Sequence, residues 1–126
     1  MNLPEGLHYS SDHEWVQVVG DSVRIGITDY AQDALGDVVY VDLPSTGTPV
    51  AAGSTFGEVE STKSVSDLFA PVSGEIMTVN DELVDAPERL NTDPYGDGWI
   101  CTIAMSDTQE LDALLDAAGY AALIDG

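Results

Sequence analysis

The chain has 126 residues, 44% of them hydrophobic, and it carries 23 acidic against 3 basic side chains for a formal net charge of −20. That length suits one domain with a modest core, and the hydrophobic content is too high for a disordered acidic chain. The charge excludes nucleic-acid backbones and anionic membranes as partners, because both are held by clustered Lys and Arg.

Self-repulsion on this scale destabilises a compact state at low ionic strength. At ~1 M salt the screening length shrinks to about 3 Å and most surface repulsion disappears. A halophilic source is therefore expected, with an acidic face for a basic partner as the rival. The single cysteine precludes an internal disulfide and fits a reducing compartment. With no long apolar run and no basic-then-apolar N-terminus, a cytoplasmic monomer is expected.

Residues 1–12 read as a loose lead-in, broken by Pro4 and Gly6. His13 to Val18 reads as a strand, and Gly20-Asp21 as a turn. Val23, Ile25 and Ile27 then alternate with polar or small residues, the period of a half-buried strand. Thr28 caps a predicted short helix near 29–35, which Gly36 ends. Asp37 to Leu43 is rich in valine and tyrosine and reads as a strand closed by a turn from Pro44 to Gly47. Residues 54–61 and 64–70 read as two strands of a hairpin with its tip at Thr62-Lys63, and Gly74 to Val79 as a further strand.

Asn80 to Asn91 predicts a loop with about one helical turn beginning near Pro87, since proline suits the first helical position. A long turn from Asp93 to Gly98 leads to a last strand whose Trp99, Cys101, Ile103 and Met105 share one face. The end of the chain changes period. Asp107 with Glu110 fits a capping box, Leu111, Leu114, Leu115 and Ala118 follow at helical spacing, and Gly119 is placed to stop the helix. Gly36-Asp37-Val38-Val39 and Gly74-Glu75-Ile76-Met77 open strands in the same way, a faint sign of two half-sheets. The expectation is a single domain over 1–126: lead-in 1–12, a β core over 13–105, and a C-terminal helical segment over 106–126. Its class is mainly β, a flattened barrel or sandwich with a C-terminal helix near 107–118.

Lys63 is the one lysine in the chain. A lysine amine has a reference pKa of about 10.4 and is a poor nucleophile while protonated. Amine catalysis therefore needs burial or a neighbouring cation. The neighbours of Lys63 are Ser61, Thr62 and Ser64, with Glu60 and Asp67 as the nearest charges, so neither condition is met. The plain alternative is a solvated surface lysine, but a unique lysine at a polar hairpin tip better suits modification by another enzyme. Cys101, on the apolar face of the last strand, reads as a buried structural thiol. His8 and His13 lack a partner at metal-ligand spacing, and Trp15 and Trp99 read as packing residues.

The run Glu60-Ser61-Thr62-Lys63-Ser64-Val65-Ser66-Asp67-Leu68, followed by Ala70-Pro71-Val72-Ser73-Gly74-Glu75, resembles the lipoyl-lysine motif of the glycine cleavage system H proteins. Several other stretches are similar to family landmarks in the same order: His13-Glu14-Trp15-Val16, Gly26-Ile27-Thr28-Asp29-Tyr30-Ala31, Leu35-Gly36-Asp37, and Asn91 through Trp99. The resemblance implies a lipoyl-domain-like fold and a non-catalytic carrier with lipoate joined to Lys63 as an amide. It also implies partners: the P protein (glycine decarboxylase), the T protein (aminomethyltransferase), the L protein (dihydrolipoamide dehydrogenase) and the lipoylation enzymes.

Glu14 and Asp67 align with acidic positions lining the family's arm-docking cleft. Carboxylates there can hold the cationic amine of a loaded arm by charge-assisted hydrogen bonds. The rival for both is an ordinary surface carboxylate, and either Ser11 or Asp12 could assist. Thr62 and Ser64 depart from the small apolar residues common in the family. The alternatives are a lipoyl donor in a lipoate relay, or a biotinyl or lipoyl carrier domain of another complex. Biotin carriers, however, usually flank the lysine with methionines, and the dehydrogenase domains lack the His-Glu-Trp-Val lead-in.

Overall fold

The computed structural model describes residues 2–125. Among the described residues, nine strands form two antiparallel sheets packed face to face. The larger is built from β1 (His8–Tyr9), β2 (Glu14–Val19), β3 (Ser22–Ile27), β5 (Pro49–Val50), β8 (Gly74–Val79) and β9 (Cys101–Met105), in the spatial order β1-β2-β3-β9-β8-β5. The smaller has the order β4-β6-β7, from β4 (Val38–Asp42), β6 (Thr55–Ser61) and β7 (Val65–Phe69). The fold is therefore a mainly β sandwich and not a closed barrel. The two glycine-opened segments begin β4 and β8, one in each sheet.

The alternation read in the sequence decides which side chains meet between the sheets. Val16, Val23, Ile25, Ile76 and Ile103 from the larger sheet pack with Val41, Val59 and Leu68 from the smaller, all buried. Each such side chain contributes roughly 1.5–3 kcal/mol by leaving water. A second cluster of Tyr9, Trp15 and Tyr120 lies beside the first. Trp15 lies across Gly26 in the β2–β3 register, where a Cβ would come within 2.6 Å of the indole nitrogen. Only glycine leaves room for the ring.

The helix predicted over 29–35 is present as α1 (Asp29–Leu35). Thr28 Oγ1 accepts from Ala31 N–H, and Gly36 closes the helix at φ 80°, ψ −158°. The lead-in contains β1, a two-residue strand too short to leave a pattern. Between Asn80 and Thr92 lie two single turns, α2 (Glu82–Asp85) and α3 (Arg89–Thr92), where one was expected over Asn80 to Asn91. Each turn buries one leucine, Leu83 and Leu90, which is too few to create a period.

The C-terminal helix expected near 107–118 is split. A 3-10 turn spans Thr108–Ala113, the chain then extends, and α4 runs Ala117–Asp125. Tyr9 and Leu115 exchange two backbone hydrogen bonds of 2.7 Å, which breaks the helical run. Glu110 does not reach back to complete a capping box. It accepts instead from Ser73 N–H at 2.7 Å and Ser73 Oγ–H at 2.9 Å. Gly119 lies inside α4, and its N–H donates to Asp116 Oδ1.

Candidate functional site

The β6–β7 hairpin pairs Val59 with Ser66 and Glu60 with Val65, leaving residues 61–64 as its tip. Ser61 closes the tip. Its N–H donates to Ser64 O at 2.8 Å, and its Oγ accepts from the N–H groups of Lys63 and Ser64 at 3.2 and 3.1 Å. Thr62 N–H donates to Asp37 O at 3.0 Å, seating the tip on the segment after α1. The Lys63 stem lies over Gly36, where an added Cβ would stand 3.3 Å from Lys63 Cε.

That seat is held from below by Asn91. Its amide accepts from Val38 N–H at 2.9 Å and donates to Gly36 O at 2.8 Å and Gln32 Oε1 at 3.1 Å. Lys63 itself is exposed. Among the described residues the one ion pair joins Arg89 to Glu82, and Arg24 lies over the Trp99 ring. The lysine amine therefore has no carboxylate partner in contact.

Beside the tip is a cleft of about 320 Å³. One wall is β7, the edge strand of the smaller sheet; the other is α1 with the start of β2. Its floor and walls mix apolar groups (Tyr30, Leu35, Val65) with Glu14 and Asp67, so the two sequence-predicted carboxylates share one cavity next to Lys63. Of the two candidate helpers, Asp12 lines the cleft and Ser11 does not.

The two carboxylates differ in environment. Asp67 is exposed on β7, whereas Glu14 is only 2% exposed. Glu14 Oε2 accepts from Phe69 N–H at 2.8 Å, and Oε1 lies 3.4 Å from Ser10 Oγ. Burial pushes its carboxyl up to about 8. The Phe69 and Ser10 hydrogen bonds oppose that shift, and the charge of Asp12 adds to it. Glu14 is therefore not the plain surface carboxylate that a count of acids would suggest.

Burial, together with the nearby Glu14, pushes the Cys101 thiol up to about 12, which leaves it unreactive. Among the described residues no group of three or more His, Cys, Asp and Glu side chains could hold a metal ion. The roles of Ser61, Asn91, Tyr30 and Tyr120 at this site were not assigned from sequence: the first three stood only within family-like stretches, and Tyr120 stood in none. Their partners are distant in the chain, except for the Ser61 hydroxyl bonds, which a serine two residues before a hairpin lysine could have suggested.

The model of the glycine cleavage H-protein family matches residues 7–126. The chain is 55% identical over 125 residues to the glycine cleavage system H protein of Anaeromyxobacter sp. strain K, covering 99% of this chain and 98% of that one. It is 58% identical over 122 residues to that of Micrococcus luteus, covering 95% of each. The crystal structure of a glycine cleavage system H protein from Mycobacterium marinum superposes with a TM-score of 0.90 at 46% identity, covering 98% of this chain and 100% of that one.

Proposed function

The chain belongs to the glycine cleavage H-protein family, and on that premise we propose that Lys63 is its point of lipoyl attachment and the adjoining cleft its arm-docking site. The protein is a carrier and not an enzyme. It takes an aminomethyl group from the P protein, delivers it to the T protein, and is reoxidised by the L protein. The biotin-carrier and dehydrogenase-domain alternatives give way to this assignment.

The observation that supports Lys63 is the presentation of the chain's one lysine, exposed at a tip whose backbone is tied to Ser61 and Asp37. A modifying enzyme needs such access, and a partner's active site needs a tether that projects. The residues fit the group: the amine is unpaired, and a cleft of about 320 Å³ begins at the next residues along the strand. Lipoate held there as an amide supplies a dithiolane for group transfer and redox chemistry.

The remaining work falls to side chains of the cleft. Leu35, Tyr30 and Val65 offer apolar walls to an aliphatic arm, and Asp67 offers a carboxylate to a cationic terminal amine. Glu14, raised by burial, meets the same amine deeper in. An arriving cation favours the ionised carboxylate, so docking of a loaded arm is coupled to loss of a proton from Glu14. We further place the protein in the cytoplasm of a halophile as one domain. The support for the halophilic source is its charge of −20.

Intact-mass spectrometry of protein from cells with working lipoylation enzymes tests the attachment. One lipoyl group on the parent and none on Lys63→Ala is expected; an unmodified parent would refute it.

A further inference from the structure

Tyr120, on α4 at the far end of the chain, is buried and bonds a residue that lines the cleft. Its Oη lies 2.8 Å from His13 Nδ1 and 2.8 Å from Thr28 Oγ1. His13 lines the cleft next to Glu14, and Thr28 caps α1, which belongs to the same wall. One phenol thus ties the start of β2 to the start of α1 within that wall.

The protons of this trio can be placed by elimination. Thr28 is 0% exposed, and its Oγ1 already accepts from Ala31 N–H at 3.1 Å. The hydroxyl proton of Thr28 must go to an acceptor, and Tyr120 Oη is the one in reach among the described residues. Tyr120 then has its own proton to give, and His13 Nδ1 is the remaining partner. A nitrogen that accepts carries no proton, so the N–H of His13 is at Nε2 and the ring is neutral. An imidazolium would turn Nδ1 into a donor, reverse Tyr120, and leave the buried Thr28 proton with nowhere to go. We infer that Tyr120 is a positioning residue for the arm-docking cleft, holding His13 as its neutral Nε2–H tautomer so that no protein cation competes for the cleft carboxylates.

Other features fit. His13 has φ 69°, a left-handed conformation uncommon for a residue other than glycine. It is kept there by its N–H to Ser10 O at 3.1 Å and by Thr28 N–H to its own carbonyl at 3.2 Å. Its ring is also 4.9 Å from that of Tyr30. The ionisable groups around it are Asp12 and Glu14 on its own segment, Tyr30 on α1, Tyr120 on α4 and Asp67 across the cleft on β7. Burial lowers the basicity of His13 while Asp12 opposes that shift. A charged ring here would pair with these carboxylates and repel a cationic arm.

The inference rests on the cleft being the arm-docking site, and the experiment separates the two. Nitrogen-15 NMR of the lipoylated carrier should show His13 as the Nε2–H tautomer near neutral pH; the Nδ1–H tautomer, or an imidazolium, overturns the inference. Tyr120→Phe keeps the ring that stacks on Tyr9 at 4.9 Å and removes only the hydroxyl. His13 should then titrate at higher pH. Formaldehyde and ammonia should leave the aminomethylated variant about fivefold faster near pH ~6, the size of a repulsion between two charges about 4 Å apart in water. If Tyr120→Phe does not fold, the tautomer of His13 in the lipoylated parent decides the matter. Unchanged release in Tyr120→Phe, while Glu14→Gln with Asp67→Asn speeds it, overturns the Tyr120 role and leaves the docking site standing. Unchanged release in all of these variants overturns both.

Discussion

Glu14 Oε2 accepts the backbone N–H of Phe69 at 2.8 Å, joining the first residue of β2 to the last of β7 and so one sheet of the sandwich to the other. The same carboxyl lines the cleft beside Lys63. A residue expected to serve only the arm is thus also a strut between the sheets.

The strut has a pH dependence. Glu14 is raised from 4.5 to about 8 in the fold, chiefly by burial. Between those values the folded state holds a proton that the unfolded state has released, so stability falls as pH rises across that window and levels off above it. Glu14→Gln keeps an oxygen for Phe69 N–H and removes the titration. Urea unfolding from pH 4.5 to 8 should therefore show the parent losing stability relative to the variant as pH increases. A constant difference between them would contradict the raised value.

Arm retention should depend on the same group and on Asp67. Glu14→Gln combined with Asp67→Asn is expected to leave lipoylation intact and shorten the lifetime of the aminomethylated form by roughly tenfold or more, the cost of losing charge-assisted hydrogen bonds of about 1.5–3 kcal/mol. Formaldehyde and ammonia release gives the rate directly. An unchanged rate would remove both residues from the docking site.

Gly36 occupies φ 80°, ψ −158°, a region essentially closed to other residues, and an added Cβ would press on the Lys63 stem at 3.3 Å from Cε. Gly36→Ala should cost roughly 1–3 kcal/mol in backbone strain and displace the lysine, slowing its lipoylation. Ala31→Gly, inside α1, should cost about 1 kcal/mol without that slowing. Equal lipoylation rates in the two variants would show that the seat beneath Lys63 does not matter.

Salt should govern folding. With 23 acids against 3 bases and one ion pair among the described residues, little within the chain offsets the repulsion. The melting temperature followed by circular dichroism should fall steeply on dialysis from ~1 M salt to low ionic strength, as the screening length grows from about 3 Å to 30 Å. A flat profile would argue for the rival explanation, an acidic face for a basic partner.

The elements read correctly from sequence are those whose causes are local. Thr28 and Gly36 bracket α1 within nine residues, and alternation in 22–27 and 55–61 places side chains on one face or the other. The segment over 107–118 misled because Asp107 and Glu110 have the spacing of a capping box, while the real partner of Glu110 is Ser73, 37 residues away. The two short strands β1 and β5 exist only because a neighbour pairs with them.

Sequence alone determined that this chain is β-rich with its one lysine at a hairpin tip, because a turn and a unique residue type are properties of a dozen consecutive positions; the carrier role came from the resemblance of those positions to a family motif. The tertiary structure decided what surrounds that lysine. Glu14 meets Phe69 across 55 residues and His13 meets Tyr120 across 107. Burial, proton placement and the cleft itself arise only where such distant segments pack together. Charge state follows from desolvation and partners, and neither is written at the position of the residue that titrates.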